Sequence, residues 1–127
     1  MEKKKTSFQA YSKTNILTAS KEKVLLMLYD GSIRFLKAAI AACEQNNPKE
    51  KNEKVGRVMD IVIELRSTLR PESAPEICQN LEGLYSFVQE RLLKGSVENN
   101  PQPLQEALQV LTTLRSAWDE AIQSLKT

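Results

Sequence analysis

Residues 18–36 read Thr-Ala-Ser-Lys-Glu-Lys-Val-Leu-Leu-Met-Leu-Tyr-Asp-Gly-Ser-Ile-Arg-Phe-Leu, and how that string winds decides the fold. Ser20 is a good helix N-cap, and Glu22 puts negative charge in the first turn, where free N–H groups favour it. At about 100° per residue, Val24, Leu25, Leu28, Tyr29, Ser32, Phe35, Leu36, Ala39, Ile40 and Cys43 share one stripe, and Leu26 and Ile33 extend its edge. The apolar arc covers about 200°, against the ~100° of a plain surface helix. Lys23, Asp30, Arg34, Lys37 and Gln45 take the opposite side with Met27 as an apolar exception, and Asn46-Asn47-Pro48 ends the run.

The rest of the chain repeats the pattern. Val55, Val58, Met59, Ile61, Val62, Ile63, Leu65 and Leu69 predict a second helix over about residues 51–69, again with an arc of about 200°. Arg70-Pro71 closes it, because a residue before proline avoids the helical region. Ser73-Ala74-Pro75-Glu76 spells a capping box. Behind it, Ile77, Cys78, Leu81, Leu84, Tyr85, Phe87, Val88 and Leu92 are expected to face one way, and Gly95 to stop the helix. Residues 96–100 read as a loop. From Pro101, a stripe running from Leu104 through Leu111 and Trp118 to Leu125 marks a fourth helix. Helices of roughly 18 to 25 residues joined by short loops must pack as antiparallel neighbours. The predicted fold is all-α, an up-down-up-down four-helix bundle over residues 20–127, preceded by a flexible N-terminal arm over residues 1–19.

Composition limits the chemistry. The chain has 127 residues, enough for one real core, and a net charge of +2. Residues 1–23 carry six lysines and two glutamates, leaving −2 for the remainder. That arm lacks the interleaved aromatics of a nucleic-acid groove, so it reads as solvated and no nucleic-acid partner is expected. There is no histidine, which removes the commonest general base and metal ligand. No Gly-rich phosphate loop occurs, and Cys43 and Cys78 lie on apolar helix sides without metal spacing, as reduced core thiols would. No signal peptide or membrane-spanning run is seen, so a cytoplasmic location is expected, with no enzyme activity, no cofactor and no metal.

What is left to explain is surplus apolar surface. Each helix of a bundle meets two neighbours, which accounts for most of the wide stripes. Leu26, Ile33, Ile61 and Ile63, at the stripe edges, are what remain. Three covers are possible: the N-terminal arm, a second copy of the chain, or another protein.

The residues also resemble a known family. Tyr11, Thr18-Ala19-Ser20, Leu26-Met27-Leu28-Tyr29-Asp30-Gly31, Ile33-Arg34-Phe35-Leu36, Glu50-Lys51-Asn52-Glu53, Glu64-Leu65-Arg66, Leu84-Tyr85, Arg91-Leu92 and Ala117-Trp118 occur in the order and separations of the flagellar secretion chaperones, the FliS family. Lys21 departs from a proline common there, and Gly95-Ser96 replaces a small residue followed by Asn. The resemblance implies a cytoplasmic chaperone that binds the disordered C-terminal segment of flagellin, prevents early polymerisation and delivers it to the flagellar export gate. It implies a client groove with Leu26, Ile33, Asn52, Ile61 and Ile63 as candidates. It further implies a displaceable N-terminal cap, for which Tyr11, Ile16 and Leu17 are the candidates. A monomer or weak homodimer is expected. The competing reading is a homo-oligomeric helical structural or adaptor bundle with no flagellin client.

Overall fold

Four helices account for nearly all of residues 20–125, the part of the chain described by the computed structural model: α1 (Lys21–Glu44), α2 (Pro48–Ser67), α3 (Pro75–Glu98) and α4 (Pro101–Leu125). The cap expected of Tyr11, Ile16 and Leu17 lies outside the described residues.

Short-range chemistry sets the helix ends. Ser20 Oγ accepts the Lys23 N–H at 3.2 Å and starts α1 as anticipated. At the other end Asn46 takes a left-handed conformation, φ 57°. The Asn47 and Asn46 N–H groups then return to the Ala42 and Cys43 carbonyls at 2.9 and 3.2 Å. This is the paired C-terminal arrangement usually built on glycine, here on asparagine. The Asn47 side chain next accepts the Glu50 N–H at 3.3 Å, and Pro48 occupies the first turn of α2. Proline there does more than end α1. It opens α2 before the apolar run begins, because an N–H is dispensable at that position.

Two expectations about α3 are corrected. The capping box does not form: Ala74 is the N-cap residue and makes no side-chain cap bond. Pro75 takes the first helical position, which leaves Ser73 one residue too early, in the turn where its N–H meets the Arg70 carbonyl at 3.0 Å. Nor does Gly95 stop the helix. It is buried within it, and the turn falls at Asn99, with φ 50°, whose follower Asn100 donates to the Gly95 carbonyl at 3.0 Å. A Cβ on Gly95 would lie 2.7 Å from Leu104 Cγ, so this glycine exists for close approach of α3 to α4. The expected loop over residues 96–100 shrinks to Asn99-Asn100.

The helices form a ring in which α1 packs on α2 and α4, and α3 on α4 and, more sparsely, on α2. Contacts at both ends make the neighbours antiparallel. Asp30 of α1 meets Arg115 of α4, and Arg91 of α3 meets Glu106 of α4. Lys51 at the start of α2 reaches Ser96 near the end of α3. One continuous core runs through Tyr29, Leu36, Val58, Val62, Leu65, Leu81, Val88, Leu92, Leu104 and Leu111. Tyr29 and Tyr85 sit inside it. Their hydroxyls are 2.5 Å apart, and Trp118 Nε1 donates to the Tyr29 oxygen at 3.2 Å, so one polar node ties α1, α3 and α4.

Candidate functional site

Among the described residues, no group of three or more acidic, Cys or His side chains could hold a metal. Cys43 and Cys78 are free and buried. The buried tyrosine pair is a structural node: burial pushes both phenols above their ordinary value, which keeps them neutral. No helix among the described residues is long and apolar enough to cross a membrane. The features that stand out are apolar side chains facing water.

Each seam of the ring treats its edge residues differently. Leu26 and Ile33 lie on the flank of α1 that carries Asp30, the flank toward Arg115 of α4. Leu26 borders an open cleft of about 560 Å³ with Ile122 and Leu125 of α4 and Ser20 at the start of α1. Ile33 is half-buried against the core. Ile61 is on the other side of α1's territory, its Cδ1 3.5 Å from where a Cβ on Gly31 would stand, and it too is half-buried. Ile63 and Asn52 lie on the opposite flank of α2, toward α3. Ile63 is 54% exposed. Asn52 Oδ1 accepts from Ser96 Oγ at 2.8 Å. The five candidates therefore do not line one groove. They divide among the α1–α4, α1–α2 and α2–α3 seams.

The α2–α3 seam is the most sparsely packed of these. Arg66 forks onto Glu82, Nη2 to Oε2 at 2.7 Å and Nε to Oε1 at 3.3 Å, and reaches Gln89 at one end. That fork holds the Glu82 carboxyl below its usual range, through the hydrogen bond first and charge attraction after it. Lys51 and Asn52 tie the other end to Ser96 and Asn99. Between the ties, α2 presents Gly56, which has no atom within 4 Å of a virtual Cβ, then half-buried Met59 and exposed Ile63. Helical spacing puts Leu93 and Val97 on the matching flank of α3, 61% and 75% exposed.

Sequence reasoning named neither Leu93 nor Val97, and it placed Ile77, Leu84 and Phe87 on α3's core stripe. All three are exposed. The buried line runs Cys78, Leu81, Tyr85, Val88, Leu92, Gly95, and the others fall to its side toward α4, with Arg91 5.7 Å over the Phe87 ring. One signal was legible: in Leu92-Leu93, adjacent residues stand ~100° apart, so only one can point at the axis of the bundle.

The described residues thus form a helical bundle whose outer seams expose apolar side chains to water. Comparison with known proteins identifies the class. The family described as "Flagellar protein FliS" matches residues 4–125. The flagellar secretion chaperone FliS of Vibrio cholerae is 36% identical over 118 residues, covering 90% of this chain and 87% of that one. Its Bacillus subtilis counterpart is 31% identical over 117 residues, covering 92% and 86%. A solved structure described as a flagellar chaperone from bacteria superposes with a TM-score of 0.76 over 93% of this chain and 98% of that one, at 19% identity, a likeness of fold. The chain belongs to the FliS family of flagellar secretion chaperones, a chaperone family and not an enzyme family.

Proposed function

We propose that this chain is a cytoplasmic, non-enzymatic export chaperone whose client is the disordered C-terminal segment of flagellin. In this reading it keeps flagellin from polymerising early and delivers it to the flagellar type III export apparatus. The observation that supports the reading is the exposure of Ile63, Leu93 and Val97 along a sparsely packed seam of an otherwise well-filled bundle, in a family of flagellar secretion chaperones. An unfolded client can wrap a large surface and order as it binds, and amphipathic segments suit grooves between helices. Leu26, Ile33, Asn52, Ile61 and Ile63 are proposed contacts, spread over three seams as a wrapping segment requires. Tyr11, Ile16 and Leu17 are proposed as the arm that shields part of this surface until the client displaces it. Apolar burial supplies the driving force, about 25 cal/mol per Å² before the cost of ordering the client.

Titration calorimetry with a peptide of the flagellin C-terminal segment tests this. A 1:1 complex is expected, with a negative heat-capacity change from apolar burial. A folded chain that gives no heat overturns the reading. A chain that instead sediments as a tight dimer, and loses that dimer when Leu93 is made polar, favours a homo-oligomeric bundle.

A further inference from the structure

Among the described residues one charged side chain is buried, and neither the core nor the exposed seam accounts for it. Lys51, in the first turn of α2, is 2% exposed. Its ammonium donates to the Ser96 carbonyl at 2.7 Å and to Asn99 Oδ1. Both acceptors are neutral, and both sit at the C-terminal end of α3, Ser96 in its last turn and Asn99 as its cap. Burying an ammonium costs several kcal/mol before its partners compensate, and an apolar side chain of the same length would fill the space without that cost. The partners explain why a cation can be held there. The last carbonyls of a helix are unsatisfied and carry the negative end of its dipole, and Asn99 is already fixed in the left-handed turn by the return of the Asn100 N–H to Gly95.

The position of Lys51 gives the contact a consequence. At the other end, the α2–α3 seam is closed covalently by the turn over residues 68–74 and braced by the Arg66–Glu82 fork. At this end the chain makes no such closure. The start of α2 continues from α1, and the end of α3 leads into α4. Lys51, with the neighbouring Asn52–Ser96 bond, is what joins the two helices there. Between the two closures the inward-facing residues join the core, but on the outer side Ile63, Leu93 and Val97 face water, so no packed side chain braces the helices there.

We propose that Lys51 is a positioning residue for client binding: a buried cationic strut that holds the C-terminal turn of α3 against α2 and so sets the width of the seam beside Leu93 and Val97. The inference rests on the reading of the α2–α3 seam as client surface. Lys51→Met keeps the side-chain volume and removes the charge. Asn99→Gly keeps the left-handed turn and removes one acceptor. Lys51→Arg keeps the charge and the reach. Each is measured with the flagellin C-terminal peptide by calorimetry, with hydrogen exchange of residues 93–99 and denaturant unfolding in parallel. Lys51→Met is expected to weaken peptide binding at least about fivefold, the lower end of site-to-site coupling. Asn99→Gly is expected to weaken it less and Lys51→Arg least. Exchange should rise in the last turn of α3 in the first two while residues 29–40 of α1 stay protected. Unchanged affinity and exchange in folded Lys51→Met and Asn99→Gly overturn the strut, as does Lys51→Arg binding no better than Lys51→Met. Should Lys51→Met fail to fold, Asn99→Gly decides. Should the unmodified chain fail to bind the peptide, the client reading falls, and the exchange of residues 93–99 still decides whether Lys51 holds the turn.

Discussion

The two flanks of α2 are built from the same kind of residue and end in opposite states. Toward α1, Ile61 packs beside Gly31, and Lys54 lies 5.6 Å over the Phe35 ring. Toward α3, Ile63 faces water, and polar ties at the two ends do the joining. Two isoleucines two positions apart thus differ in burial because one neighbour approaches closely and the other does not. An apolar residue is core only if a partner comes within van der Waals reach. A seam held by hydrogen bonds at its ends can leave apolar surface free in between.

The sharpest way to break this contrast is to truncate a leucine on each side of it. Leu65→Ala, fully buried, should cost about 3–5 kcal/mol in denaturant unfolding through lost burial and a cavity. Leu93→Ala should stay within about 0.5 kcal/mol of the unmodified chain and yet weaken binding of the flagellin peptide. A large loss of stability in Leu93→Ala would mean that the seam is packed after all.

Two glycines give the next largest effect. Gly95→Ala must push against Leu104 at 2.7 Å and the Asn100 carbonyl oxygen at 3.0 Å, and should lower stability by about 1–3 kcal/mol. Gly56→Ala meets nothing within 4 Å and should raise it by roughly 0.5–1 kcal/mol, the helical cost of glycine. Thermal unfolding of the pair reads both signs at once.

The polar node gives a smaller effect with a pH signature. Tyr85→Phe should cost about 1 kcal/mol, the net value of a hydrogen bond. Burial, the largest cause, raises the Tyr29 and Tyr85 phenols above the ordinary 10.0. The folded chain therefore holds these protons more tightly than the unfolded one. Their stabilisation is complete below pH 10 and declines as pH rises through the folded values. Absorbance of phenolate with increasing pH should show these two tyrosines ionising only as the fold is lost.

The smallest effect belongs to the exposed fork. Arg66 lowers the Glu82 carboxyl, so its contribution is present above the unfolded carboxylate range and disappears as pH falls through the lowered value. Salt should screen it, and Glu82→Gln should remove both the acid dependence and the salt dependence of this contact in thermal unfolding.

The helices could be read from the sequence because each rests on local chemistry. Ser20, Asn46 and the period of Val55 to Leu65 act within a turn or two of the chain. The errors fall where local and distant demands compete. Ser73 and Glu76 have the spacing of a capping box, but Pro75 took the first helical position. Gly95 looks like a stop, and the approach of Leu104 uses it instead. Of the proposed groove, Leu26, Ile33 and Ile61 were legible as edge residues, and the seam each one faces was not. Ile77, Leu84 and Phe87 looked like core because a wide stripe carries no mark of where its centre lies.

By itself, the sequence determined four helices, their antiparallel order and the absence of histidine chemistry. The first two follow because hydrophobic period and short loops act over a few residues, and the last because a missing side chain is missing in any fold. Only the tertiary structure decided which apolar edge is closed and which stays open. That depends on the spacing between helices, and at the open seam the ends are tied by contacts 16 to 48 residues apart in the chain, Arg66 to Glu82 and Lys51 to Asn99. No periodicity within one helix encodes the distance to the next.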